Sequence, residues 1–385
     1  MSIREVKPGE SLQAAVSGAK SGDTIRVLPG TYPSKVDLRV NGIEVVSAEP
    51  GQAVTEGFVF PEGSREIVLR DFACVGDKRT NQLGCIFIEG EDHVVSGNTV
   101  RDVSGISGIA MQWRQAENGT YRNRSVTVEK NTVENCQSGI GAVGHGITVQ
   151  DNVIRGLNRF DTGHDSDFFV FFGHTIRILR NACSDGVANT GSAHTDGGQT
   201  YVTGSNPKAF ARDIRIEGNL FRDCDQGLML ECSQPGQVED IVVMDNIFHA
   251  CGNWGVSARG DGKKVGGIEG LEVSHNVFYE VNDPEHGAPA AVGVRGPNGF
   301  GTIRQNIFSR CNGSWFFSDG ARGQGIDNVV WEFNRNDGRP QPGDVTADPQ
   351  FAAAPSLGTL EEARAYFRST NPDVTALHAG LNTEG

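Results

Sequence analysis

From residue 94 onward the chain alternates apolar and polar positions in short runs, most ending at an asparagine followed by another apolar pair. The runs read VVSGNTV, VTVEKNTV, ITVQDNVI, IRILRNAC, IRIEGNLF, IVVMDNIF, LEVSHNVF, GTIRQNIF and VVWEFNRN. Their asparagines are Asn98, Asn131, Asn152, Asn181, Asn219, Asn246, Asn276, Asn306 and Asn334, separated by 21 to 38 residues. Period two within a run marks a half-buried strand rather than a helix. A self-similar unit of this length marks a stacked repeat. Together they predict an all-β fold: a single-stranded right-handed parallel β-helix, a solenoid of about ten coils. An asparagine at one turn of every coil can bond its amide to the asparagines above and below, and it tolerates left-handed backbone. The nine asparagines are therefore assigned to the scaffold.

The ends of the chain differ from the repeat. Leu12, Ala15, Val16 and Ala19 share one face of a short amphipathic helix, which can cap the open apolar end of a solenoid. After residue 344 the repeat stops, and LEEARAYFRS predicts a helix. The expected organisation is a β-helix over 1–344, its cap within about the first 24 residues, and a C-terminal cap or arm over 345–385 packed on the solenoid. Four of the eight cysteines, Cys136, Cys224, Cys251 and Cys311, lie five residues after a repeat asparagine, where other coils carry Val103, Leu157 and Val281. That is an inward position, and the reading is buried free thiols. Cys224 with Cys251, and Cys74 with Cys85, remain open as disulfide pairs. No C-x-x-C occurs, which argues against a zinc site.

LQAAVSGAKSGDTIRVLPGTY resembles the opening of proteins in the pectin-lyase-like superfamily of right-handed parallel β-helices. ADPQF at 347–351 and NPDVTALHAG at 371–380 resemble the tail of many of them. The resemblance covers nearly the whole chain. It implies this fold and a place among polysaccharide lyases, hydrolases and epimerases, without choosing between them.

One strand per coil can be aligned by its inward apolar pair: GIAMQW, GIGAVG, DFFVFF, DGGQTY, GLMLEC, GVSARG, AVGVRG and SWFFSD. With the second and fourth positions inward, the first, third and fifth point outward on one sheet face. The fifth column then holds Thr200, Glu231, Arg259 and Arg295, and the first holds Asp167 and Asp196, with Asp165 and His194 two residues upstream. Phe169 and Phe171 fall on the same face. The glycines of DGGQTY are expected to keep that surface flat. The longer repeats around this strip predict loops that wall a groove.

A groove of carboxylates, arginines and a histidine suits an extended polysaccharide. In a lyase or C5-epimerase acting on a uronic-acid glycan, a cation or arginine neutralises the sugar carboxylate and a base removes the C5 proton. The catalytic candidates are His194, Asp196, Asp167, Arg259 and Glu231. The substrate-binding candidates are Asp165, Gln199, Arg295, Phe171 and Phe169. Asp165, Asp167 and Asp196 are candidate ligands for Ca²⁺, an oxygen-seeking ion. A glycosidase needs two carboxylates flanking the bond. HTDG resembles the NTD motif of polygalacturonases, and DCD at 223–225 loosely matches their DD, but their GHG motif is absent. A phage-tail or adhesin-type β-helix that binds glycan without cleaving it is the third reading.

The net charge of −14 disfavours non-specific nucleic-acid or anionic-membrane partners. The expected partner is a polysaccharide, with no nucleic acid and no membrane, for a monomer or homotrimer. The opening MSIREVKPGESLQ lacks the apolar core of a signal peptide. Localisation stays open, with extracellular or virion-associated action compatible.

Overall fold

The computed structural model describes residues 2–76, 84–104, 107–115, 119–158, 165–186, 194–202, 208–260, 266–282, 290–332, 341–352 and 357–381. The chain divides into two compact units, Met1–Arg177 and Ile178–Gly385. Within each, three parallel strand stacks wind around an apolar interior. No helix among the described residues is long and apolar enough to cross a membrane.

In the first unit, Ser11 caps the helix Leu12–Ser17 by accepting from the Ala14 amide, and Leu12, Ala15 and Val16 are buried. The strands then stack in register. Val68 pairs with Val94, Val94 with Thr127 and Thr127 with Thr148. A second stack runs Ala73, Thr99, Thr132, Val153. A third brings Ile86, Ile109 and Ile140 into one fully buried column.

His93 is a fully buried group in this unit. Its Nδ1 accepts from the Ile67 amide at 3.2 Å, so the ring proton sits on Nε2, 3.0 Å from Ser64 Oγ. Burial pushes its pKa down to about 4 from an ordinary 6.5. The unfolded chain therefore takes up this proton at a higher pH than the folded one. Stability from this group is intact above pH 6.5 and is lost as pH falls towards 4. The expected loss across that window is about 3 kcal/mol. By urea titration, the unfolding free energy of wild type should fall between pH 7.5 and pH 4 by that much more than that of His93→Gln. Parallel pH profiles would reject a neutral His93.

The second unit repeats the plan. Gly198 pairs with Leu228, Leu228 with Val256, Val256 with Val292 and Val292 with Trp315. A further interior column is a stack of aromatic rings: Phe221 on Phe248 at 5.3 Å, Phe248 on Phe278 at 4.8 Å, and Phe278 on Phe308 at 4.9 Å. Facing it across the interior is a glycine column, Gly197, Gly227 and Gly255. A Cβ there would come within 2.7, 2.4 and 2.5 Å of Phe221, Phe248 and Phe278 respectively. These glycines are not outward spacers that flatten a surface. They make room for the ring stack inside.

The asparagine ladder holds both units. Asn98 donates its backbone N–H and Nδ2 to Asn131 Oδ1 at 2.9 and 3.0 Å, and Asn131 does the same to Asn152. In the second unit the chain of bonds runs Asn181, Asn219, Asn246, Asn276, Asn306 and then Asn328. Asn328 follows Asn306 in the ladder; Asn334, the asparagine expected there, lies outside the described residues. The left-handed residue is the one before each asparagine, from Gly97 and Lys130 to Gln305 and Asp327. The asparagine supplies the hydrogen bonds and its predecessor supplies the turn.

All eight cysteines are buried and none is in a disulfide. Cys224 and Cys251 sit with their sulfurs 3.4 Å apart as thiols. Along the outside of the second unit, Leu220, Ile247, Val277, Ile307 and Val329 form an apolar stripe. It is covered by the segment carrying Leu360–Tyr366 and Pro372–Ala376, which buries Ala363, Phe367 and Val374 against it. Arg364 reinforces the contact by donating to the Gly218 and Asp245 carbonyls.

Candidate functional site

The outward face of one strand stack in the second unit gathers the polar groups. Its strands are Asp196–Val202, Gln226–Cys232, Trp254–Gly260, Val292–Arg295 and Trp315–Ser318. The register pairs Asp196 with Gln226 and Gln226 with Trp254. It pairs Tyr201 with Glu231, Glu231 with Arg259, Arg259 with Arg295 and Arg295 with Ser318. Glu231, Arg259 and Arg295 thus form the outward row expected from the alignment.

The strand at 196 sits one residue away from its expected register. Tyr201, not Thr200, stands beside Glu231, while Thr200 is buried in the interior column beside Leu230. A one-residue slip exchanges the faces of a strand. The cause is the glycine column: Gly197 must align with Gly227 to clear the phenylalanine stack, so Asp196 aligns with Gln226.

Asp196 is buried, and His194 Nδ1 lies 3.3 Å from its Oδ1, with the imidazole side chain 23% exposed. The contact has the distance of an ion pair without hydrogen-bond alignment. The carboxylate lies on the Nδ1 side of the ring. The residue between them is anchored to the next coil: the Thr195 amide donates to Asp225 Oδ2 at 2.9 Å, and Asp225 and Gln226 donate their amides back to the Thr195 carbonyl. Asp225 is buried. Asp196 and Asp225 both help to push the Cys224 thiol up, behind its hydrogen bond to Cys251 and its burial. The thiol there is a neutral wall of the site.

Glu231 Oε2 lies 3.4 Å from Arg259. Gln199 is buried, with Nε2 3.8 Å from Met229 Sδ. Arg295 rests over the Trp254 ring at 5.0 Å. As metal donors, His194 and Asp196 offer an imidazole and a carboxylate, and Ca²⁺ takes carboxylate oxygens.

Asp165, Asp167, Phe169 and Phe171 belong to the first unit. Asp167 is buried and its amide donates to Ser138 Oγ at 3.3 Å; the half-buried Asp165 accepts at its carbonyl from Gln137 at 3.0 Å. Phe169 and Phe171 are fully buried. They present no ring face to solvent, which corrects their place among the substrate-binding candidates. Neighbouring Phe172 is buried too, its ring 5.5 Å from that of Trp113.

The sequence reading passed over Tyr201, Trp254 and Phe316. It assigned Asp225 no place in the site and reached it only through the loose DCD match. A uniform glycine register down the coils would have drawn Tyr201 onto the face. Asp223, the other half of DCD, has left-handed backbone and pairs with Arg222 in a turn.

Stacked parallel strands, the asparagine ladder and the ring stack define the class: a parallel β-helix. The chain matches the family model described as "Right handed beta helix region" over residues 84–278, half its length, and belongs to that family. No curated protein matches the sequence. Among solved structures, it resembles a tailspike protein of E. coli bacteriophage HK620 at TM-score 0.59 and 15% identity, covering 89% of this chain and 63% of that one. It resembles the PL6 family alginate lyase AlyGC at TM-score 0.54 and 13% identity, covering 99% of this chain and 57% of that one. It also resembles the A-module of an Azotobacter vinelandii mannuronan C-5 epimerase at TM-score 0.51 and 14% identity, covering 88% and 94%. The chain thus spans less than two thirds of the tailspike and the lyase. At these identities the likeness concerns the fold.

Proposed function

We propose that the outward face of the second unit processes an extended polysaccharide, with His194 as the proton-transfer group. The observation that carries this reading is the His194–Asp196 pair: a partly exposed imidazole backed by a buried carboxylate on a rigid strand stack. On a uronic-acid glycan, the His194 imidazole would remove the C5 proton. In a lyase the C4–O bond then breaks, giving an unsaturated uronate and a new reducing end as the departing oxygen takes up a proton. In an epimerase a proton returns to the opposite face instead. That several β-helix neighbours are named as glycan-acting proteins is compatible with this reading. Hydrolysis is the second reading, favoured by Asp225 beside the Asp196 coil, since two carboxylates can flank a glycosidic bond.

The test is a panel of polyuronates and neutral glucans, followed by unsaturated-uronate absorbance, reducing ends and uronate stereochemistry. Absorbance with reducing ends, or inverted C5 without cleavage, is the expected result. Reducing ends without absorbance would replace proton abstraction by hydrolysis, and binding alone would make the face a receptor. Ca²⁺ held at Asp196 would neutralise the sugar carboxylate. Protein dialysed against a chelator should lose activity and regain it with Ca²⁺; undiminished turnover would remove the ion.

A further inference from the structure

Two of the outward arginines are underused. Arg259 and Arg295 are register partners, so their guanidinium groups rise from neighbouring strands about 4.8 Å apart. Each guanidinium offers five N–H donors. Among the described residues, Arg259 reaches Glu231 Oε2 at 3.4 Å and Met229 Sδ at 3.6 Å, and Arg295 reaches Ser257 Oγ at 3.4 Å. These are long contacts, and a thioether is a weak acceptor. The Nε atoms of both arginines are buried and have no hydrogen-bond partner.

The pair is held in this state from below. Trp254 carries Arg295 on its ring and leans on Phe316 at a centroid distance of 5.9 Å. Both rings lie against Gly293, where a Cβ would come within 2.6 Å of Trp254 and 2.8 Å of Phe316. The seat fixes one cation beside another. Burial and the neighbouring Arg259 both push the Arg295 pKa down. Among the described residues, one carboxylate, Glu231, sits within ion-pair distance of Arg259 and none of Arg295. An oxyanion accepting from both guanidinium groups would satisfy the idle donors and relieve the repulsion.

We propose that Arg259 and Arg295, seated on Trp254, form a receptor for one oxyanion carried by the glycan, a sugar carboxylate or sulfate, on a residue other than the one undergoing chemistry. The strands bearing them lie two and three steps from the strand of Asp196, roughly 10–14 Å along the stack. An extended chain lying along the face therefore meets the dyad and the arginines with different sugars. This rests on the glycan reading above and removes Arg259 from the catalytic set: the arginines select substrate, and the dyad transforms it.

Binding is measured in a His194→Ala background by calorimetry, with an oligogalacturonate, a sulfated oligosaccharide and a neutral oligosaccharide of equal length. The charged probes should bind at least about ten-fold tighter than the neutral one. The Arg259→Gln/Arg295→Gln double variant should erase that preference, and Trp254→Leu should weaken it. Arg304→Gln, whose arginine pairs with Glu272 at 2.7 Å, should change nothing. The stronger of the two charged probes identifies the anionic group. In the active protein, with the polysaccharide the panel identifies, Arg295→Gln should raise KM about ten-fold and leave kcat within two-fold. Equal binding of the neutral probe, or a loss confined to kcat, overturns the proposal. If no glycan binds, the glycan reading fails, and inorganic sulfate still reads the receptor: it should raise the wild-type Tm but not that of the double variant. No such difference would end the receptor as well.

Discussion

Asn246→Ala is expected to lower the unfolding free energy by roughly 3–5 kcal/mol, because one side chain serves several buried groups at once. Its Oδ1 accepts from the Asn219 amide and from Asn219 Nδ2, both at 2.9 Å. Its Nδ2 donates to the Ile216 carbonyl at 2.9 Å and to Asn276 Oδ1 at 3.0 Å. Alanine leaves the Asn219 N–H and the Ile216 carbonyl without these bonds in a region that water does not reach, and each such group costs about 1–3 kcal/mol. Asn246→Asp should do no better. It keeps the acceptor but sets a second oxygen against the Asn276 and Ile216 oxygens. Urea unfolding at 25 °C measures both. A loss below about 1 kcal/mol for alanine would mean that the ladder bonds merely replace hydration.

That ladder was the most legible part of the chain, because a side chain that bonds to its own copies one coil away must recur in the sequence. What the sequence left obscure were features set by packing across the interior. Thr200 and Tyr201 are equally plausible outward residues when the strand is aligned by alternation alone. Only the steric demand of Phe221 on Gly197 decides between them, and that demand acts between different strand stacks. The same holds for Asn334: VVWEFNRN imitates the repeat, yet the asparagine followed by an apolar pair in register is Asn328, before Val329 and Val330. The covering of the second unit by the C-terminal segment also left a trace. The position after each ladder asparagine changes from Thr99 and Thr132 to Leu220, Ile247, Val277, Ile307 and Val329, as an outer surface must when another segment buries it. Trp254 and Phe316 could not be assigned from sequence because their role depends on Gly293 standing between them. Phe169 and Phe171 misled because alternation predicts direction, and a side chain that points outward can still be covered.

The dyad gives the largest expected effect on activity. His194→Ala should lower kcat about 10³-fold, the range for loss of a general acid–base group. Asp196→Asn should lower it by roughly 10²-fold, because an amide can present the wrong hydrogen-bonding atom to Nδ1 and no longer favours the imidazolium formed during proton transfer. The two losses should not add, since Asp196 acts through His194. Stability separates this from a structural pairing. His194 is partly exposed, so its truncation should shift the unfolding free energy by no more than about 1 kcal/mol. Asp196→Asn conserves shape at a buried position and removes a buried charge, so its effect should also stay near 1 kcal/mol. Kinetics and thermal melts on the two single variants and the double variant make the decision. If activity falls only in step with melting temperature, the carboxylate braces the turn at Thr195 and the imidazole has no chemical task; if the losses multiply, Asp196 does not act through His194.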